Sequence, residues 1–444
     1  MRLVQRDDPG LDAACFGRIF NARRPRERVP AAVLEAESEQ DVIDGVRLAR
    51  ERGWQVSVRA GGHSWAGWSV RDDALLIDLG GMKDLGYDSA TGVATASPAV
   101  KGGVELTPFL AERGRLFTGG HCETVGLGGF LLQGGQGWNS RRWGWGCENV
   151  LGIDVVTADG ELVHADEDKN TDLYWAARGA GPGFFGVITG FHLRTYEAMP
   201  LFHDTRVFAR EELEPLLHWL HAVLPTLDPA VEPVVAATRL PDVPLDPGVR
   251  RPDGAVLLLH TTLTADSESD AARLLAPLDD CPVRPLGHVR GPTTISEENV
   301  AMTLQNPEGY RYAADSQWTD AGPEELYPLL RDIYDELPTE HSFSIWYGWA
   351  PTRPLPDMAF SLEANVYLAT YAIWSDPADD ERYRSWVHGH HARLSEEVGV
   401  GLYIGDSDFS RRPDRFMAEA NRRRLAELRA ARDPDGLFVP YLGL

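Results

Sequence analysis

The chain predicts an α+β protein built from two domains. Its 444 residues exceed what one hydrophobic core ordinarily organises. Short strand-like runs mixed with crossing helices fill the sequence up to about Tyr196. From about Pro200 the texture changes to longer strand-like runs joined by proline-rich connections such as Leu240–Pro247, as in a largely antiparallel sheet with helices on it. The expected organisation is a first domain over 1–198, a second α+β domain over 199–399, and a segment 400–444 that returns to complete the first.

The elements follow from local pattern. Ser38 with Asp41 three residues on reads as a helix start of the capping-box kind, Val42, Val46 and Ala49 share one face, and Gly53 ends the helix. Gln55–Arg59 alternates Val56 and Val58 as a strand does. Ala74–Leu79 is a short apolar run, and Val104–Arg113 predicts a helix stopped by Gly114. Leu151–Thr157 and Glu161–His164 flank Asp159-Gly160, a type I′ hairpin signal. In the second half Ala255–Leu263, Phe343–Trp349 and Leu362–Trp374 read as strands, and Ala271–Leu278, Glu325–Glu336 and Asp380–Val398 as helices. Arg411–Arg432 predicts a closing helix.

Composition narrows the function classes. The formal charge is −24, from 67 acidic and 43 basic residues, so polyanions such as nucleic acid or an anionic membrane surface are repelled. None of the three lysines (Lys83, Lys101, Lys169) follows a glycine, which excludes a P-loop. No Gly-x-Gly-x-x-Gly opens a helix after a strand, which disfavours a Rossmann dinucleotide site. The four cysteines lack Cys-x-x-Cys spacing, so neither a zinc knuckle nor a disulfide framework is indicated. The charged start and the lack of a long apolar run predict a cytosolic protein without a membrane span.

Two glycine-rich loops carry the chemistry. The first is Arg59-Ala60-Gly61-Gly62-His63-Ser64-Trp65-Ala66-Gly67 and the second is Gly120-His121-Cys122-Glu123-Thr124-Val125-Gly126-Leu127-Gly128-Gly129. Successive glycines let backbone N–H groups close on an anion. Each loop also holds one nucleophile, an imidazole or a thiol. By residue type alone His63 could be a hydrogen-bonded loop histidine and Cys122 a small buried apolar residue.

In combination the loops resemble those of the berberine bridge enzyme-like oxidases of the vanillyl-alcohol oxidase and p-cresol methylhydroxylase superfamily. Gly134-Gly135-Gln136-Gly137, Gly144-Trp145-Gly146-Cys147-Glu148-Asn149-Val150, Gly186-Val187-Ile188-Thr189 and Asn421-Arg422-Arg423-Arg424-Leu425 stand in the same order as later motifs of that family. The resemblance implies a two-lobed FAD-binding domain wrapped around an α+β substrate domain with an antiparallel sheet. It also implies an FAD bonded at its 8α carbon to His63 and, in a bicovalent subgroup, at C6 to Cys122. The implied FAD contacts further include Arg59, Ala60, Gly61, Gly62, Ser64, Val125, Gly126, Gly128, Gly129, Gly135, Asn149, Val187 and Asn421. A thiolate is needed at C6, which calls for N–H donors or a cation to depress the pKa of Cys122, and His121 is the neighbour expected to help.

Tyr403-Ile404-Gly405-Asp406 resembles the family segment Tyr-x-Asn, whose tyrosinate removes the substrate hydroxyl proton; here Gly405 replaces the asparagine. A phenol needs a shift of roughly 2–3 units downward to act as a base near neutrality, and Asp406 works against it. The alternative is a half-buried strand tyrosine. Alternation over Leu362–Trp374 places Glu363, Asn365, Tyr367 and Tyr371 on one face, so Tyr367 and Glu363 are expected beside Tyr403 as catalytic partners if that face looks inward. Trp318, Trp346, Trp349 and Trp374 are candidates for an aromatic pocket wall or for core.

Val125 in the family position bordering the oxygen face implies an oxidase, with molecular oxygen as acceptor and hydrogen peroxide as product. No metal is implied, and His388, His390 and His391 lack an acidic or thiol third ligand. The expected substrate is a small molecule, an alcohol or hemiacetal of a natural product or sugar. C–N oxidation, oxidative ring closure, non-redox cyclisation or elimination, and plain flavin or ligand binding stay open beside it. A monomer or homodimer is expected.

Overall fold

The computed structural model describes residues 1–443, which form three larger sheets and one two-stranded pair, Arg115–Leu116 with Tyr196–Glu197. A four-stranded sheet runs in the order Arg2–Gln5, Ala32–Glu35, Leu75–Asp78, Val56–Arg59, the last three strands parallel. A five-stranded antiparallel sheet has the order Leu85–Asp88, Val93–Ala96, Val187–Arg194, Val150–Val156, Leu162–Asp166. One apolar core joins these two sheets. The third sheet has seven antiparallel strands, ordered Gly287–Thr293, Leu201–Ala209, Val256–Thr264, Val231–Thr238, Phe343–Gly348, Val366–Trp374, Arg311–Thr319. Helix and sheet are mixed throughout, with the longer antiparallel strands in the second half of the chain, as the α+β reading expects.

Helices Leu213–Val223 and Pro323–Asp335 bury their leucines on one face of the seven-stranded sheet. The period of two leaves the other face to alternate residues, among them His203, Thr205, Val234, His260 and Ile345, and these line a cavity. Near its end the chain returns to the first sheet: the Val56 N–H donates to Leu437 O at 2.7 Å and the Val439 N–H to Val56 O at 3.0 Å. Trp318 at the edge of the large sheet pairs with Gly401, so the segment after residue 400 is fixed to both bodies.

Local signals act as read where nothing tertiary competes. The helix Glu39–Arg52 starts at Ser38, whose side chain accepts the Asp41 N–H, and stops at Gly53 in the left-handed region with φ +66°. That cap is worth about 1 kcal/mol against alanine. Helix Asp380–Val398 runs over the expected residues.

Four expectations need correction. Asp159-Gly160 does not form a type I′ turn, because only Gly160 has positive φ; Gly160 N–H instead closes a turn on Thr157 O at 2.9 Å. Gly102–Leu106 is a π-helical turn leading into the short helix Thr107–Ala111. The closing helix begins at Glu419 rather than near Arg411, because Pro413 interrupts the run and Arg412 is drawn into a buried ion pair with Asp315. The strand expected from Leu362 begins at Val366, since the Asn365 N–H is taken by Asp320 and its carbonyl by Ala350. Among the described residues, no helix is long and apolar enough to cross a membrane.

Candidate active site

A cavity of about 1070 Å³ lies between the two glycine loops, the open face of the large sheet, and Tyr403–Asp406. Ligand pockets for one small molecule occupy about 300–1,000 Å³, so this space suits an extended ligand with a second molecule beside it.

The first loop meets the second backbone to backbone. A Cβ on Gly61 would stand 2.5 Å from the Gly126 nitrogen, which only glycine permits. His63 reaches across to the second loop, with Nε2 at 3.0 Å from Thr124 Oγ1, and its ring stacks on Phe20 with centroids 4.5 Å apart. Burial, reinforced by the Lys101 charge, pushes the His63 pKa down to about 4. The ring is therefore neutral at pH 7.

Cys122 faces the same cavity, but its surroundings do the opposite of what was expected. Burial first, then the Asp406 and Glu123 carboxylates, push the thiol up to about 12. His121 supplies no cation: its own pKa is pushed down to about 4 by burial, and its ring packs edge-on against Trp138 at 4.4 Å.

Tyr403 is buried on the cavity wall, where its phenolic oxygen accepts the N–H groups of Gly135 at 3.1 Å and Gln136 at 3.4 Å. Those donors favour phenolate, yet burial and then Asp406 outweigh them and hold the pKa above the ordinary phenol range. The downward shift expected of a resting base is absent. Gly405 is explained by packing: a Cβ there would lie 2.5 Å from Tyr403 Cε1, so the Tyr403 ring occupies the space an asparagine side chain would need.

Asp406 is the hub the sequence reading undervalued. It accepts Tyr367 Oη at 2.7 Å and Tyr371 Oη at 2.8 Å on Oδ2, and the Trp65 indole at 2.9 Å on Oδ1. Tyr371 lines the cavity; Tyr367, against expectation, lies behind the wall, packed on Trp318 at 4.8 Å. Glu363 is also outside it, held by the indoles of Trp145 at 2.9 Å and Trp349 at 2.8 Å. Trp318, Trp346, Trp349 and Trp374 are core residues. His388 and His391 pair with Asp315 and Thr370.

Of the residues expected to touch the cofactor, Arg59, Ala60, Gly61, Gly62, Ser64, Val125, Gly126, Gly128 and Gly129 line the cavity with His63 and Cys122. Gly135, Asn149, Val187 and Asn421 do not. The Asn149 amide is spent on Thr118, Trp143 and Trp145, and that of Asn421 on Met358 O.

The sequence reading missed Glu232, which is buried in the wall, accepts the N–H groups of Asn139 and Arg141 at 2.8 and 2.9 Å, and is pushed by burial to about 7. It also missed His203, His260 and Glu298. A polar residue inside an apolar strand was the available signal for the first three; Glu298 carried none.

Residues 30–166 match the family model described as FAD binding domain. The chain is 38% identical over 380 residues to the FAD-linked oxidoreductase ptmO of Penicillium ochrochloron, covering 85% of this chain and 82% of that one. It is 33% identical over 436 residues to the FAD-linked oxidoreductase janO of Penicillium janthinellum, covering 96% and 94%. A shorter match, 36% identity over 183 residues or 41% of this chain and 36% of the other, is to the xylooligosaccharide oxidase of Thermothelomyces thermophilus. The solved structure of BBE-like 1 from Physcomitrella patens superposes with a TM-score of 0.83 at 19% identity, over 100% of this chain and 97% of that one. The chain belongs to the FAD-linked oxidoreductases.

The cavity of this flavoenzyme fits FAD on its own geometry. Among the described residues, no protein acceptor takes the N–H groups of Gly61, Gly62, His63 or Ser64, which leaves a row of donors for a pyrophosphate. The buried Trp68 Nε1 and Gln136 Nε2 both line the cavity without a partner, as donors awaiting acceptors on a ligand do. Gly129 faces open space. Backbone donors matter here because the one basic side chain in the lining, Arg59, is spent on Asp78 at 2.5 Å.

Proposed function

We propose that this flavoenzyme is an oxidase that holds FAD through His63 and Cys122 and oxidises a hydroxyl-bearing carbon of a natural product or sugar, with molecular oxygen as acceptor and hydrogen peroxide as product. One observation carries the reading: a single cavity is lined by His63, Cys122, Val125, Tyr403 and Asp406 together. When bound, FAD supplies the two-electron acceptor.

The residues of the chain handle the proton and the position. Tyr403 takes the substrate hydroxyl proton as its phenolate, whose charge the N–H groups of Gly135 and Gln136 stabilise. Because burial and Asp406 oppose that phenolate, Tyr403 first releases its own proton to solvent, and only the deprotonated fraction is competent. Tyr371 and Asp406 complete the polar wall, and Tyr367 positions Asp406 from behind. The sheet residues Val234, Ala236 and Ile345 supply the apolar surface that holds a substrate carbon in place, the geometric contribution to rate.

A second reading has its own support. Glu232, Asp242, Glu297, Glu298, Glu340 and Asp406 line the cavity against the single guanidinium of Arg59, which favours a neutral or cationic substrate over an anionic one and suits oxidation next to an amine. Peroxide release and anaerobic flavin bleaching, measured with paired alcohols and amines on one apolar scaffold, separate the readings. Peroxide with the alcohol supports the first and with the amine alone the second; bleaching with neither removes both.

A further inference from the structure

His203 and His260 stand on neighbouring strands of the large sheet, on the face that lines the cavity. The register pairs Thr205 with His260 and His203 with Thr262, so the two imidazoles are diagonal neighbours, with ring centroids 6.0 Å apart. Helix Ile295–Gln305 lowers Glu298 between them from its first turn. Glu298 Oε1 lies 3.1 Å from His203 Nδ1, and Oε2 lies 2.9 Å from His260 Nε2.

The outer contacts are those that orient metal ligands. Thr205 Oγ1 sits 2.8 Å from His260 Nδ1, which fixes that ring with Nε2 pointing inward, and the Thr293 hydroxyl donates to Glu298 Oε1 at 2.7 Å. Such second contacts on the far ring nitrogen and on the carboxylate accompany metal-ligating histidines and carboxylates. No lysine or arginine other than the distant, neutralised Arg59 lines the cavity, so no fixed cation opposes an ion.

We propose that His203, His260 and Glu298 form a site for a divalent transition-metal ion, zinc by ligand type, with one face open to the cavity. The three ligand atoms lie within 4.8 Å of one another. A tetrahedral ion bound at about 2.0–2.2 Å to nitrogen and oxygen needs them about 3.3–3.5 Å apart; each imidazole now meets a different Glu298 oxygen at 3.1 and 2.9 Å, so a small closure of the rings and a turn of the carboxylate bring three ligand atoms onto one ion. Binding moves protons without redox change. The ring hydrogens now facing Glu298 shift to the opposite nitrogens, His260 Nδ1–H then donating to Thr205 Oγ1. Two imidazoles and one carboxylate leave a coordination position for water or for an oxygen of a bound small molecule. The ion would then grip the polar end of a substrate. The proposal goes beyond the oxidase reading and does not depend on it, since metal binding is read without turnover.

The test is titration of FAD-loaded, EDTA-stripped and dialysed protein with zinc chloride, followed by calorimetry and metal counting, with Co²⁺ as a spectroscopic substitute. One ion per chain is expected, with a tetrahedral cobalt spectrum. Glu298→Gln and His260→Ala should weaken zinc by at least about 100-fold, and Thr205→Val by about 10–100-fold. His192→Ala should leave it unchanged; that residue belongs to a second cluster, Asp154–His164–His192, on the five-stranded sheet. Glu298→Gln and Thr205→Val keep their shapes, so retained flavin absorbance and circular dichroism separate lost ligation from lost folding. No zinc uptake by the wild type, undiminished uptake by folded Glu298→Gln, or loss in His192→Ala instead would overturn the proposal and leave the cluster as a hydrogen-bonded fastening of the helix.

Discussion

Tyr367 donates its phenolic hydrogen to Oδ2 of Asp406 at 2.7 Å, from behind the wall that Asp406 itself faces. Asp406 is thereby fixed where its charge opposes ionisation of Tyr403. The sign gives a test. With Tyr403 held above the ordinary phenol range, anaerobic flavin reduction should rise with pH through the neutral region. Asp406→Asn removes the opposing charge and should move that rise to lower pH. Tyr403→Phe should lower the rate about 10²–10⁴-fold and flatten the pH dependence, whereas Tyr367→Phe and Glu363→Gln should cost less. A wild-type rate in Tyr403→Phe would transfer the base to Asp406.

The two tethers should differ in their response to pH. His63, pushed down to about 4, is neutral throughout pH 6–9, so its attachment to FAD should be flat over that range. Cys122, pushed up to about 12, gains thiolate as pH rises, so its bond should form faster in alkali and lag behind the histidyl bond. Acid-precipitated wild type should stay yellow, and the His63→Ala, Cys122→Ala double variant should release its flavin. Colour lost to the wild-type supernatant would end the tethering hypothesis.

Val125 lines the cavity three residues past Cys122. Val125→Leu should slow reoxidation of the reduced enzyme by air while leaving anaerobic reduction unchanged, as stopped-flow absorbance can follow. Equal reoxidation rates would remove Val125 from the oxygen reaction.

Gly405→Asn restores the residue the family resemblance leads one to expect, yet it should impair this enzyme. The added side chain meets the Tyr403 ring, which two backbone N–H bonds hold in place. The expected result is a drop in flavin reduction approaching that of Tyr403→Phe, with FAD binding retained. Undiminished reduction would mean that the ring moves aside without consequence.

The glycine loops, the histidine and thiol within them, and the capped helix Glu39–Arg52 were legible in sequence because each is decided over a few neighbouring residues: a Cβ is absent, or a side-chain oxygen meets an N–H three positions on. A strand-like run of residue types also marked Val256–Thr264 and Phe343–Gly348. It did not tell which face would be covered. All nine residues of Val366–Trp374 are buried, so alternation there carries no mark of inside and outside, and Glu363 went to two indoles rather than to the cavity.

Only the tertiary structure decided the electrostatics. Cys122 and Tyr403 have the residue types the chemistry needs, but their pKa values follow from burial and from Asp406, whose own partners Trp65, Tyr367 and Tyr371 come from other parts of the chain. In the same way His203, His260 and Glu298 converge only after two strands pair and a helix packs over them. Sequence fixes which groups are available over a few residues; charge and hydrogen bonding act through space at distances set by the packing of the whole chain.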